Sequence, residues 1–236
     1  VSAAWAVWRK ELAIYAATPL AYVLAAVTLS LAGLFFWLGV ALTGEASLRV
    51  MLSDLAVAQL FIVPMLTMRS VAEERRQGTL ELLLTCPVSP GAIVVGKWLA
   101  ALTLCGIVLA ATGVFPVVLA MYGDPDWGVI ATSYLGLGCV SAAFCAAGLF
   151  ASTLTDDHVA AGLLGIVMLL PLWLLAGAER VLPRAWAERL APLGLVGHLQ
   201  SFGHGILDTA DLAYFAALGC GFLVLATHRL EGRRWR

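Results

Sequence analysis

The sequence predicts an all-α integral membrane protein. Hydrophobic residues make up 61% of its 236 residues and charged residues 12%; a soluble domain carries roughly 25% charged residues. Apolar runs near the ~20 residues needed to cross a hydrocarbon core of about 30 Å recur along the chain. One long polar stretch interrupts them, Arg69 to Lys97 (RSVAEERRQGTLELLLTCPVSPGAIVVGK). The apolar share leaves little mass outside the lipid, so residues 1–236 are expected to form a single membrane domain. A net charge of −1 says nothing about partners, and no nucleic acid is expected among them.

The elements follow in order. Trp5, Trp8, Leu12 and Tyr15 share one helical stripe, interrupted by Arg9, Lys10 and Glu11. That pattern predicts a helix in the membrane interface, where indole and phenol rings prefer the headgroup level. The N-terminal apolar stretch has no small-residue cleavage site, so no signal peptide is expected. Thr18-Pro19 supplies a cap and a first-turn proline for the next helix. Six spans are expected at about 20–42, 51–68, 98–122, 127–154, 159–176 and 212–227. Glu45, Ser47 and Arg49 form a short loop before the second span, whose first half carries Asp54 and Gln59.

Gly123-Asp124-Pro125-Asp126 is a turn. In the fourth span, Gly138 and Ala142, then Ala143 and Ala147, repeat at i, i+4, a spacing that lets backbones approach closely in lipid. Thr155-Asp156-Asp157-His158 is a short loop. Residues 177–209 are too polar early to span, yet Leu193, Val196, Leu199, Phe202 and Ile206 keep a helical apolar spacing. Short helices in the outer leaflet, shielded by protein, account for it. The five cysteines show no C-x-x-C spacing and four lie in apolar runs, as small buried hydrophobes do.

Lys and Arg placement sets the orientation. With the central stretch inside, Arg9, Lys10, Arg69, Arg75, Arg76, Lys97, Arg229, Arg233, Arg234 and Arg236 are cytoplasmic; Arg49, Arg180, Arg184 and Arg189 are outside. Both termini are then cytoplasmic, in a multi-pass protein of the cell (inner) membrane.

Within the central stretch, Arg69–Glu73 and Glu73–Arg76 are spaced as helical ion pairs, so the second helix continues past the membrane. Gly78 breaks it. Thr79 can cap a new helix with Glu81 in its first turn. Leu80, Leu82, Leu83 and Leu84 make that helix so apolar and short that it needs a groove. Pro87 stops it, and Ser89-Pro90 caps the next membrane helix. The pattern is a lever between two spans.

The run MRSVAEERRQGTLELLLTCPVSPGAIVVGKWLAA, residues 68–101, resembles the signature of ABC-2-type membrane permeases, in particular the gliding-motility and copper-enzyme-maturation branch. WRKELAIYAATPLAYV, DWGVIATSYLGLGCVSAAFCAAGLFASTLT and HLQSFGHGILDTADLAYF extend the resemblance over most of the chain in the same order. Cys86 departs from it, where relatives often carry alanine or serine. The resemblance implies a cytoplasmic coupling helix between spans 2 and 3, docked on a separate ABC ATPase that binds ATP and Mg. The implied contact residues are Glu73, Glu74, Arg75, Arg76, Gly78, Thr79, Leu80, Glu81, Leu82, Leu83 and Pro87. It also implies a second permease subunit, as a homodimer or related heterodimer, and export as the direction of transport.

Gly91-Ala-Ile-Val-Val-Gly96-Lys97 fits the phosphate-binding G-x-x-x-x-G-K pattern. Trp98 follows where a magnesium-binding hydroxyl belongs and no strand precedes, so it is a chance match and no cofactor is expected in this chain. His198 and His204 stand six apart, not the three or four that neighbouring helical ligands need, so no metal site is expected. Two other classes remain: an ion-coupled secondary transporter and an intramembrane enzyme. Both need ionisable or catalytic groups deep in the spans, whose middles lack Asp, Glu, Lys, Arg and His. A non-catalytic permease subunit fits that lack.

Topology is the first test. Cysteines placed at Gly78 and Asp156 should react only with a reagent admitted to the cytoplasm, and those at Asp126 and Pro183 with an external one. Gly78 labelled from outside would reject the orientation.

Overall fold

The computed structural model describes residues 3–43, 48–79, 88–123, 125–175, 183 and 189–234. The helices are α1 (Ala3–Ala17), α2 (Pro19–Thr43), α3 (Arg49–Thr67), α4 (Arg69–Arg76), α5 (Pro90–Thr112), α6 (Val114–Tyr122), α7 (Trp127–Leu154), α8 (His158–Leu174), α9 (Leu195–Gly203) and α10 (Thr209–Arg234). A 3-10 turn, Ala191–Leu193, precedes α9. No strand occurs among the described residues. Helices are what lipid permits a single segment, because every backbone polar group must be satisfied internally.

Five stretches are long and apolar enough to cross a membrane: Pro19–Ala41, Arg49–Arg76, Pro90–Tyr122, Trp127–Leu154 and Thr209–Gly232. Helix α8 is apolar but has 17 residues, about 26 Å at 1.5 Å per residue. It still runs the length of the bundle. His158 at its start lies beside Glu73 of α4, and Trp173 near its end shares a cavity with Arg49 at the start of α3. Helix α8 therefore lies alongside these five stretches, between an end that carries α4 and a far end that carries α9.

Local chemistry explains most boundaries. Ser89 accepts from the Ala92 N–H at 3.3 Å and Pro90 opens α5, as the Ser-Pro pair predicts. Asp126 caps α7, accepting from Gly128 and Val129, and Asp157 caps α8, accepting from Val159. Thr18 departs from expectation. Its hydroxyl donates to the Ile14 carbonyl at 2.7 Å, closing α1 rather than capping α2. The third pass is not one unbroken helix: α5 ends at Gly113 and α6 begins at Val114, because Pro116 has no N–H for the continuing ladder. It also starts at Pro90, well before residue 98, and α10 runs from Thr209 to Arg234, beyond 212–227.

Helix α7 is the hub, contacting α3, α4, α5, α8, α9 and α10. Ala143, Ala146, Ala147 and Ala151 are fully buried, as close approach through small side chains requires. Gly138 is not one of the contact points: a Cβ there would meet nothing within 4 Å. The close glycines are Gly136, against Phe202 of α9, and Gly148, where a Cβ would collide with Thr67 Oγ1. Gln59 and Ser141 satisfy each other between α3 and α7 at 3.2 Å.

Gly148 seats a helix break. Pro64 sits inside α3 and removes an N–H from its ladder. The helix breaks at Met68 and restarts as α4. Gly165 of α8 also faces Pro64, and Gly162 faces Met68. Ser152 of α7 accepts from the Val71 and Ala72 N–H groups at 2.8 and 3.1 Å. These are first-turn donors that a restarted helix leaves without partners.

Gly148→Ala should lower the thermal midpoint in lipid nanodiscs, overpacking costing about 1–3 kcal/mol. Adding Thr67→Ala removes the clashing oxygen and should restore part of the loss. Strictly additive effects would contradict the contact.

Candidate functional site

Helix α4, RSVAEERR, has two unlike faces. Val71 and Ala72 are buried, and Val71 packs with Val94, Leu149, Ala226 and Leu230. The remaining face carries Glu73, Glu74, Arg75 and Arg76. The helix ends as the sequence predicts: Gly78 adopts φ +69°, the left-handed geometry that suits glycine just past a C-cap. Thr79 Oγ1 donates to the Glu74 carbonyl at 3.2 Å. Residues 80–87, including Leu80, Glu81, Leu82, Leu83 and Pro87, lie outside the described residues.

The centre of the site is Lys97, 1% exposed on the second turn of α5. Its ammonium donates to Glu11 Oε1 and to the Ser70 carbonyl, both at 2.7 Å. It lies 3.0 Å from Glu74 Oε2, an ion pair without hydrogen-bond alignment. Two hydrogen bonds and one close ion pair thus surround the ammonium. Glu74 Oε1 accepts from Lys10 at 2.9 Å. Two lysines and two glutamates thus balance at the junction of α1, α4 and α5. Burial works against the charge on Lys10, but the hydrogen bond to Glu74 and the fields of Glu74 and Glu11 outweigh it and raise its pKa. Burial also pushes the Tyr15 phenol, next to this cluster, far above its ordinary value.

Gly96 makes the junction possible. A Cβ there would lie 2.7 Å from the Ala4 carbonyl and 2.8 Å from Val7 Cβ. Helix α1 crosses α5 at this point, which brings Glu11, one turn beyond Val7, over Lys97. Trp8 Nε1 donates to Thr103 Oγ1 at 3.0 Å and holds the crossing on its other side. The Gly-Lys of the apparent phosphate-binding pattern therefore serves helix packing and charge burial.

The other side of α4 faces the turn between α7 and α8. Arg75 pairs with Asp156. Glu73 pairs with Arg69 at 3.8 Å, accepts from Gln77 Nε2 at 2.8 Å, and has His158 Nδ1 4.0 Å away. Among the described residues no Glu73–Arg76 pair forms, so one of the two expected helical pairs is present. Of the predicted contact residues, Glu74 and Arg75 turn inward as anchors, Glu73 is half-buried, and Arg76, Gly78 and Thr79 are exposed.

Sequence reasoning missed Glu11, Lys10, Lys97, Ser152 and Asp156 as members of the site. Glu11 was expected to interrupt an interfacial stripe, yet it is 5% exposed because α1 lies against α5. A lysine followed by an apolar run was the available signal, since such a charge needs a partner. At the far end, His198 bridges Asp211, at 2.6 Å, and the Pro192 carbonyl, at 3.0 Å. No group of three His, Cys, Asp or Glu side chains fit to hold a metal occurs among the described residues. Between Leu193 and Ile206, Leu199 and Phe202 face the core, whereas Leu193 and Ile206 are exposed.

The arrangement is mechanical: an amphipathic segment fixed to four neighbours. Residues 54–189 match the sequence model of a family described as ABC-2 family transporter protein. The chain belongs to the ABC-2 transporter family. The match runs from α3 through α8 and includes all of α4 and Lys97, but not Lys10 or Glu11. The chain is also similar to the inner membrane transport permease YhhJ of Escherichia coli strain K12, 32% identical over 115 residues. That stretch covers 48% of this chain and 30% of YhhJ. YhhJ of Shigella flexneri matches with the same identity and coverage. This member of the ABC-2 family thus aligns with less than a third of the relatives' length.

Removing one partner from a buried pair costs about 3–5 kcal/mol, because the other charge is stranded. Lys97→Met should therefore severely destabilise the chain, read as the thermal midpoint in nanodiscs. Lys97→Met with Glu11→Gln should recover much of the loss, since Glu74 keeps Lys10. Equal destabilisation in both would mean the ammonium has no such role.

Proposed function

We propose that this chain is the permease subunit of an ABC exporter, worked by a separate cytoplasmic ATPase that binds ATP and Mg. The observation that supports this most is the attachment of α4. It is joined to α1 and α5 through Glu74, Lys10 and Lys97, to α7 through Ser152, and to the α7–α8 turn through Arg75 and Asp156. A load applied where α4 ends reaches all of these elements. The chain then crosses the inner membrane six times with both termini in the cytoplasm, α1 lies in the interface, and two permeases pair. Within the family we assign it to the gliding-motility and copper-enzyme-maturation branch on the resemblance of residues 68–101.

The mechanism divides the predicted contact residues. Glu74 and Arg75 anchor α4 within the subunit, and Glu73 braces it. Arg76, Gly78, Thr79, Leu80, Glu81, Leu82, Leu83 and Pro87 form the lever that meets the ATPase. Closure of two ATPases around ATP pushes the levers together, and α4 passes that motion into the spans. The chain itself catalyses nothing. The charges of the clamp sit at one end of the bundle, not at mid-span, where an ion-coupled carrier would use them.

Three variants test the lever by co-purification of the ATPase and by stimulated ATP turnover in lipid. Glu81→Lys opposes the helix dipole by about 0.3–1 kcal/mol. Leu83→Ala removes groove contact on the order of 1–3 kcal/mol. Gly78→Pro should be the most damaging, since proline requires φ near about −65° where Gly78 has +69°. All three should still insert. Parent behaviour from all three in both assays would refute the coupling role.

A further inference from the structure

We propose that a cavity at the far end of the bundle is a binding site for a cationic amphiphile, one alkyl or aryl chain bearing an ammonium group. The cavity measures about 430 Å³ and lies among α3, α7, α8 and α9. That is within the roughly 300–1,000 Å³ of small-molecule sites. Its apolar wall is formed by Leu52, Leu137, Leu199 and Trp173, and its polar wall by Asp54 and Gln200.

The charge pattern selects the ligand. Arg49 also lines the cavity, but its Nε donates to the Gly203 carbonyl at 2.9 Å and its Nη2 lies 3.2 Å from His204 Nδ1. A guanidinium only donates, so His204 Nδ1 is the acceptor in this contact. The charge of Arg49 is thus directed onto the last turn of α9, where exposed carbonyls favour a cation. Ser133, another lining residue, donates to the Phe202 carbonyl. Asp54 has no hydrogen bond or ion pair among the described residues. A carboxylate unpaired among the described residues, in a cavity shared with a tryptophan and an apolar wall, favours a ligand cation, which charge attracts and an indole ring can also hold. An anionic amphiphile of the same length would meet Asp54 with like charge.

The test needs no ATPase, so it stands or falls apart from the export reading. The full chain in nanodiscs is dialysed against radiolabelled octyltrimethylammonium, with empty nanodiscs subtracted. Saturable binding is expected. Asp54→Asn, which keeps the side-chain shape, should weaken it about tenfold, the equivalent of about 1.4 kcal/mol, without moving the thermal midpoint. Gln200→Glu adds a second carboxylate and should tighten it. Octyl sulfate should not compete. Non-saturable uptake, binding indifferent to both variants, or equal competition by octyl sulfate would each overturn the proposal.

Discussion

A lysine ammonium withdrawn from water must be surrounded by acceptors, and at Lys97 those acceptors come from elements far apart in the chain. Glu11 belongs to α1, Ser70 and Glu74 to α4, and Lys97 itself to α5. Desolvation offsets much of the Coulomb gain of such a cluster, so its net stabilisation is small. Its effect is to exclude alternatives. A slide of α1 along α5, or a rotation of α4, strands a charge in a dry junction at several kcal/mol. The register of three elements is therefore set at one nitrogen, and Lys10 extends the network to solvent.

The rest of the bundle is arranged to let α4 reach that nitrogen. The helix is interrupted at Met68, between α3 and α4, and Gly148, Gly162 and Gly165 leave room for Pro64, Thr67 and Met68 there. Lipid gives helices no hydrophobic drive to associate with each other, so backbone proximity and satisfied polar groups carry the packing. Ser152 combines both roles. It is small enough for α7 to approach α4, and its hydroxyl takes the two N–H groups that the interruption releases. The same hub helix supports the far end through Gly136 against Phe202, which seats α9 over the cavity. Helix α7 thus touches both the clamp and the cavity.

The sequence by itself determined the helical class, the helix start at Ser89-Pro90 and the helix end at Gly78. Ser89-Pro90 and Gly78 act within a few residues of their own position, so their effect is legible without the fold. It also located the polar stretch through which the family is recognised. Only the tertiary structure decided which charges of that stretch face inward. Glu73, Glu74, Arg75 and Arg76 are consecutive and chemically alike in pairs. Their roles diverge because α5 presents Lys97 to one and the α7–α8 turn presents Asp156 to another. Likewise nothing near Glu11 announces its burial. That follows from Gly96, a contact more than eighty residues away, and from the rule that a buried charge takes its partner from whatever helix packing brings within reach.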